Sequence, residues 1–199
     1  MNALEAEKPR PATYADIEAL PDHVVGEIID GELYVSPRPA PPHTRVASRL
    51  GSQLSVIFDQ ALGGPGGWLI LYEPELHLGR RREEVVVPDF AGWLHETMPE
   101  DPQTAYYTVV PEWLCEVLSP STARLDRMKK LNLYQRVGVR WVWLVDPLQR
   151  SIEVFTRVDD GWHYATVEGA GEDVRIVPFE AAGLNLERVW RGVTGESKE

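Results

Sequence analysis

Between Glu112 and Pro147 the chain spells a strand, a helix and a second strand with almost no spacer, and this run restricts the fold more than any other. EWLCEVL (Glu112–Leu118) alternates like a strand, and SPST (Ser119–Thr122) supplies capping residues. Helical spacing then runs to about Val137, Gly138 stops it, and WVWLVDP (Trp141–Pro147) returns to strand. Charge inside such an apolar frame is costly unless it is paired or used. The run holds two charges so placed, Glu116 and Lys130.

Alternation puts Leu114, Glu116 and Leu118 on one strand face and Trp113, Cys115 and Val117 on the other, so Glu116 sits between two leucines. On a wheel of about 100° per residue, Leu131, Leu133, Tyr134 and Val137 share one arc. Asp126 and Lys130 fall inside that arc, whereas Lys129 falls among Asn132, Gln135 and Arg136. Lys130 is therefore expected to face the protein and Lys129 the water. Asp126, Lys130 and Tyr134 recur every four residues and stack along one side. Spacing alone leaves open a plain Lys130–Asp126 salt bridge with a buried lysine stem.

A further acid lies upstream. VVVPDFAGWL (Val85–Leu94) is apolar enough for a central strand covered on both faces. Pro88 interrupts its ladder just before Asp89, and such irregularities re-aim side chains near active sites. Two acids in core-like strands and one inward lysine are the ingredients of a metal-dependent phosphodiester-cleaving site. Carboxylates so crowded repel unless a cation lies between them. Hard oxygen ligands without clustered Cys or His suit Mg²⁺ or Mn²⁺ rather than zinc.

The rest of the chain gives a mixed α/β (α+β) order with helices at both ends of the strand set. Thr13–Leu20 reads as a short helix, and Val24–Pro37 as a β-hairpin turning at Asp30-Gly31. Pro37–His43 reads as a proline loop and Thr44–Leu62 as a helix closed by GGPGG. Trp68–Leu78 is expected to be strand, Gly79–Glu84 a charged turn bearing Arg80–Arg82, and Glu96–Tyr106 a polar loop. Ser151–Arg157 pairs with Trp141–Pro147, Trp162–Glu168 adds a strand, and a short helix or two closes the chain. One domain over residues 13–192 is expected, with loose tails at 1–12 and 193–199, since 199 residues hold one substantial core.

Composition narrows the function. No apolar run approaches the roughly 20 residues of a membrane span, and the N-terminus lacks a signal pattern. The lone Cys115 forms no internal disulfide, so a cytoplasmic setting is expected. A net charge of −11 argues against indiscriminate nucleic-acid binding. Even so, Arg124–Arg140 carries six basic residues against Asp126 alone. Gly-rich phosphate loops, a G-x-S-x-G elbow and Cys/His metal spacing are all absent.

Pro88-Asp89, EVLSPST (Glu116–Thr122), the Asp126–Lys130–Tyr134 ladder and GVRWVWLVDP together resemble a large bacterial family of restriction-endonuclease-like proteins in the PD-(D/E)XK nuclease superfamily. GEIIDGELYVSPRP…H (Gly26–His43) is similar to the same family's N-terminal portion, so the likeness covers roughly Tyr14 to Arg157. One departure is plain: the superfamily lysine two residues after the glutamate is Leu118 here. The resemblance implies that Lys130 takes that place from the helix. It also implies a restriction-endonuclease-like mixed sheet flanked by helices. Asp89 and Glu116 would hold Mg²⁺ (or Mn²⁺), with the carbonyl of Val117. Lys130 would orient the attacking water, and Tyr134 would bond Lys130 or a phosphate oxygen. Glu27 matches an acidic position of the family, and His43 and Glu75 are further candidates for the site.

The expected activity is hydrolysis of DNA phosphodiester bonds, in a possible homodimer. The rival readings are a catalytically silent nuclease-fold binding or accessory protein, which the net charge favours, and a hydrolase of smaller phosphate esters.

Overall fold

The computed structural model describes residues 10–97, 103–159 and 161–193. Most of each expected tail, residues 1–9 and 194–199, and part of the expected polar loop, 98–102, lie outside them.

Two sheets carry the molecule. A four-stranded antiparallel sheet has the order β2-β1-β5-β4, from β1 (Val24–Ile29), β2 (Glu32–Pro37), β4 (Leu76–Leu78) and β5 (Glu84–Val86). A six-stranded mixed sheet has the order β10-β9-β8-β7-β6-β3. Its strands are β3 (Trp68–Tyr72), β6 (Phe90–Leu94), β7 (Trp113–Val117), β8 (Trp141–Asp146), β9 (Ser151–Val158) and β10 (Gly161–Glu168). Only β7 and β8 run parallel, because the helical run between them returns the chain to the same end of the sheet. The Asp30-Gly31 hairpin forms with both residues at positive φ, the geometry a two-residue turn requires.

The strand alternation of β7 divides the core. Trp113, Cys115 and Val117 pack with Trp143, Phe179, Phe58 and the buried residues of α2 (Pro41–Leu54) and α5 (Leu186–Trp190). Leu114 and Leu118 pack on the opposite side with Leu133 and Tyr134 of α4 (Leu131–Val137), Ile29 of β1 and Leu76 of β4. The central strand is thus buried on both faces, as its apolar sequence requires.

Several boundaries differ from expectation. The proline run is not all loop: Pro41 and Pro42 open α2, because proline at a first helical turn sacrifices no hydrogen bond. That helix passes at its end into a π-helical segment, Ser55–Asp59, and stops short of Leu62. Val85–Leu94 is not one central strand. It is the end of β5, a break at Val87–Asp89, and β6 in the other sheet. Trp68–Leu78 is likewise divided between the two sheets, at Glu73–Glu75. The helix after β7 comprises α3 (Ala123–Leu125), a π-helical turn at Asp126–Lys130, and α4, which ends at Gly138 with φ 101°. The short helix near the N-terminus is α1 (Tyr14–Glu18), capped at Thr13.

Candidate active site

The break between the two sheets, the start of α2, the end of β7 and the π turn all meet at one cavity of about 80 Å³. A cavity needs about 10–15 Å³ of such space per water, so this one accommodates a small cluster of waters or the oxygens of a phosphate. Its walls include Glu27, His43, Asp89, Glu116, Val117, Asp126 and Lys130.

Lys130 is the hub. It is buried at 4% exposure, and its Nζ lies 2.9 Å from Glu27 Oε1, 3.3 Å from Glu116 Oε1 and 3.4 Å from Asp126 Oδ1. The adjacent Lys129 points to solvent and meets Asp30 and Glu32 at 3.8 and 3.5 Å, beside Tyr34. The expected Lys130–Asp126 bridge therefore exists, within a larger cluster. The π turn helps build it, since an i→i+5 turn widens the helix and is frequent at functional sites. Tyr134, one turn on, donates its hydroxyl to Glu116 Oε1.

Asp89 is placed by the interruption at Pro88 rather than by a strand. Its Oδ2 accepts the Val117 N–H at 2.7 Å, and its Oδ1 lies 2.9 Å from His43 Nε2. Glu27 is no strand-edge residue, because β1 lies between β2 and β5. It is 4% exposed and accepts the Val87 N–H at 2.9 Å. His43 is buried in the first turn of α2, with Nδ1 lacking a partner.

The electrostatics are those of too many acids for one amine. Burial pushes the Glu116 carboxyl well above its usual range; Asp126, Asp89 and Glu27 push further, and Lys130 opposes them. Asp126 is raised as well, first by burial, with Lys130 and the Thr122 hydroxyl pulling the other way. Burial works to lower Lys130, but Glu116, Glu27, Tyr134 and Asp126 outweigh it and leave the amine well above its ordinary value. Tyr134 is held up by burial and by Glu116. Asp126 Oδ1 has no hydrogen-bond donor. Such a pocket favours an added proton or cation.

Glu75 is not part of this site. It turns away to His77, whose Nε2 lies 2.8 Å from Glu75 Oε1. Its neighbour Glu73 lines the cavity in its stead, because Glu73 sits at φ 44° and the strand alternation is broken there. Sequence reasoning passed over Arg38, Ser36 and Thr122, which also line the cavity. Arg38 lay hidden in the proline run and Thr122 among the helix caps. Among the described residues, no group of three or more His, Cys, Asp or Glu side chains is arranged to hold a metal ion.

A mixed sheet over an acid–lysine pocket defines a nuclease-like fold. A family model described as "Uma2: Putative restriction endonuclease" matches residues 11–188, and the chain belongs to that family. Among solved structures it is similar to one described as "a putative nuclease belonging to DUF820" from Anabaena variabilis, with TM-score 0.74. The two share 18% identity over 92% of this chain and 99% of that one, a likeness of fold. No curated protein matches the chain. Among the described residues, no helix is long and apolar enough to cross a membrane.

Proposed function

We propose that this chain is a Mg²⁺-dependent nuclease that hydrolyses DNA phosphodiester bonds in the cavity between Asp89, Glu116 and Lys130. The observation that carries the reading is the burial of Lys130 among carboxylates that outnumber it, at a cavity sized for a phosphate.

The donor chemistry fits a hard divalent cation. Mg²⁺ keeps several waters and takes one or two carboxylates rather than an all-protein cage. Asp89 and Glu116, with the Val117 carbonyl, are the groups that would hold it, and a bound cation would polarise the phosphate and make a bound water more acidic. The chain's own residues do the rest. The Val117 N–H and His43 fix both oxygens of Asp89. Tyr134 fixes Glu116. Lys130, tethered by Glu27 and Asp126, presents an ammonium to the attacking water or to the charge that grows on the phosphate. Pre-set donors of this kind contribute most where water is scarce.

The test is cleavage of plasmid and oligonucleotide DNA with Mg²⁺ or Mn²⁺ by the wild type, Asp89→Ala and Lys130→Ala. Loss of one oriented donor is expected to cost about 10²–10³ in rate for Lys130→Ala. Equal activity in all three removes the pocket from the chemistry. Calorimetric titration with Mg²⁺ separates this reading from a catalytically silent binding protein, because the wild type is expected to bind the ion and Glu116→Gln to lose it.

A further inference from the structure

The turn joining β4 to β5 carries Arg80, Arg81 and Arg82 in succession, all exposed. None of the three guanidinium groups has a hydrogen-bond or ion-pair partner among the described residues. What sets the turn apart on a chain of net charge −11 is three such groups side by side, whereas Arg10, Arg127, Lys129, Arg136 and Arg175 each meet an acid. The acids nearest the turn are engaged elsewhere. Glu83 accepts the Arg81 backbone N–H at 2.7 Å, and Glu84 accepts Arg136 at 2.8 Å and the Asp30 N–H at 2.9 Å. Moreover, Arg82 sits at φ 58°, a conformation that an arginine adopts only at a cost and a glycine adopts freely.

This turn is tied to the candidate site by a short, rigid path. From Arg82 the chain runs through β5, which pairs with β1 beside Glu27, to Val87, which bonds Glu27, and then to Asp89. Fully extended, that path spans at most about 25 Å, or about seven nucleotides of duplex at roughly 3.4 Å each. We propose that the Arg80–Arg82 turn grips the DNA backbone several nucleotides from the bond that is cut. The inference rests on the nuclease reading of the cavity and sharpens it. The substrate is then a polymer long enough to reach the turn, and not a small phosphate ester. It also explains how an acidic protein holds a polyanion: the cationic contact is concentrated on one projecting turn.

The test compares the wild type with Arg80→Gln/Arg81→Gln/Arg82→Gly, in which glycine suits the backbone of the turn. Binding of a 30-bp duplex is measured by fluorescence anisotropy across a salt series in chelator. Each phosphate contact contributes a slope of about 0.9 to the fall of log affinity with log salt, so the triple variant is expected to show a slope smaller by about 2–3. A control, Arg188→Gln/Arg191→Gln, is expected to keep the wild-type slope. In Mg²⁺ the triple variant is expected to lose cleavage of the 30-bp duplex at low concentration while hydrolysing bis(p-nitrophenyl) phosphate like the wild type. An unchanged slope in the triple variant, an equal drop in the control, or no duplex binding by the wild type overturns the proposal. A wild type that binds duplex but cleaves neither substrate overturns the nuclease reading alone, and the salt slopes still decide the role of the turn.

Discussion

The two faces of β7 lie one residue apart in sequence and obey different physics. On one face Trp113, Cys115 and Val117 join Trp143, Phe179 and Phe58 in a dry aromatic cluster, with ring centroids of Trp113 and Phe179 4.9 Å apart. On the other, Glu116 sits between Leu114 and Leu118 and reaches Lys130 and Tyr134. The first face stabilises the fold through buried apolar area and ring packing. The second gives part of that stability back, because burying Glu116 and Asp126 makes both hold their protons harder. One strand thus anchors the molecule and strains the pocket, and the anchor is what lets the strain persist.

Breaking the pairing on the charged face is expected to have the largest effect. Lys130→Met leaves Glu27, Glu116 and Asp126 without their shared counter-charge, and removing one partner of a buried pair costs about 3–5 kcal/mol. It is also expected to slow cleavage by about 10²–10³, as for Lys130→Ala. Lys129→Met, next in sequence but with an exposed amine, is expected to leave stability nearly unchanged. Urea unfolding of the two variants measures the contrast, and similar losses would mean that Lys130 is not a hub.

On the dry face Phe179→Ala opens a hole among four aromatic rings and is expected to cost about 3–5 kcal/mol. Cleavage per folded molecule is expected to be largely kept, since Phe179 itself does not line the pocket and meets it only through the backbone of Val117, which belongs to both. An equal drop in rate and in stability would show that the two faces are coupled.

The smallest expected effect has the opposite sign. Glu116→Gln removes a charge that burial and neighbouring acids disfavour, so metal-free stability is expected to hold or rise slightly while activity is lost. The pH dependence follows from the direction of the shift. Glu116 binds its proton more tightly folded than unfolded, so its contribution is full below the unfolded value near 4.5 and is lost as pH rises toward the folded one. Melting temperatures in chelator are therefore expected to fall more steeply above about pH 4.5 for the wild type than for Glu116→Gln. Parallel curves would contradict the assignment.

Much of this was legible in the chain. Period-two spacing placed Glu116 against the leucine face, and the helical wheel separated Lys130 from Lys129, because both patterns report local geometry that tertiary contacts reinforce. What escaped was set by partners distant in sequence. An apolar run such as Val85–Leu94 reports burial but not which sheet buries it, so the division at Val87–Asp89 was invisible. The positive φ at Glu73 inverted the choice between Glu73 and Glu75, and no spacing rule announces such a residue. Pro41 and Pro42 read as loop because proline marks both loops and first helical turns.

The extra residue held in the turn at Asp126–Lys130 has a consequence for any attempt to tidy the helix. Deleting Met128 would let ordinary i→i+4 bonds close through the segment and give a more regular rod. It would also shorten the spacing of Asp126 and Lys130 from four residues to three. The two would still share a side, but the amine would be drawn along the helix toward Asp126 and its reach to Glu27 and Glu116 reset, so the extra residue sets how one amine is divided among three acids.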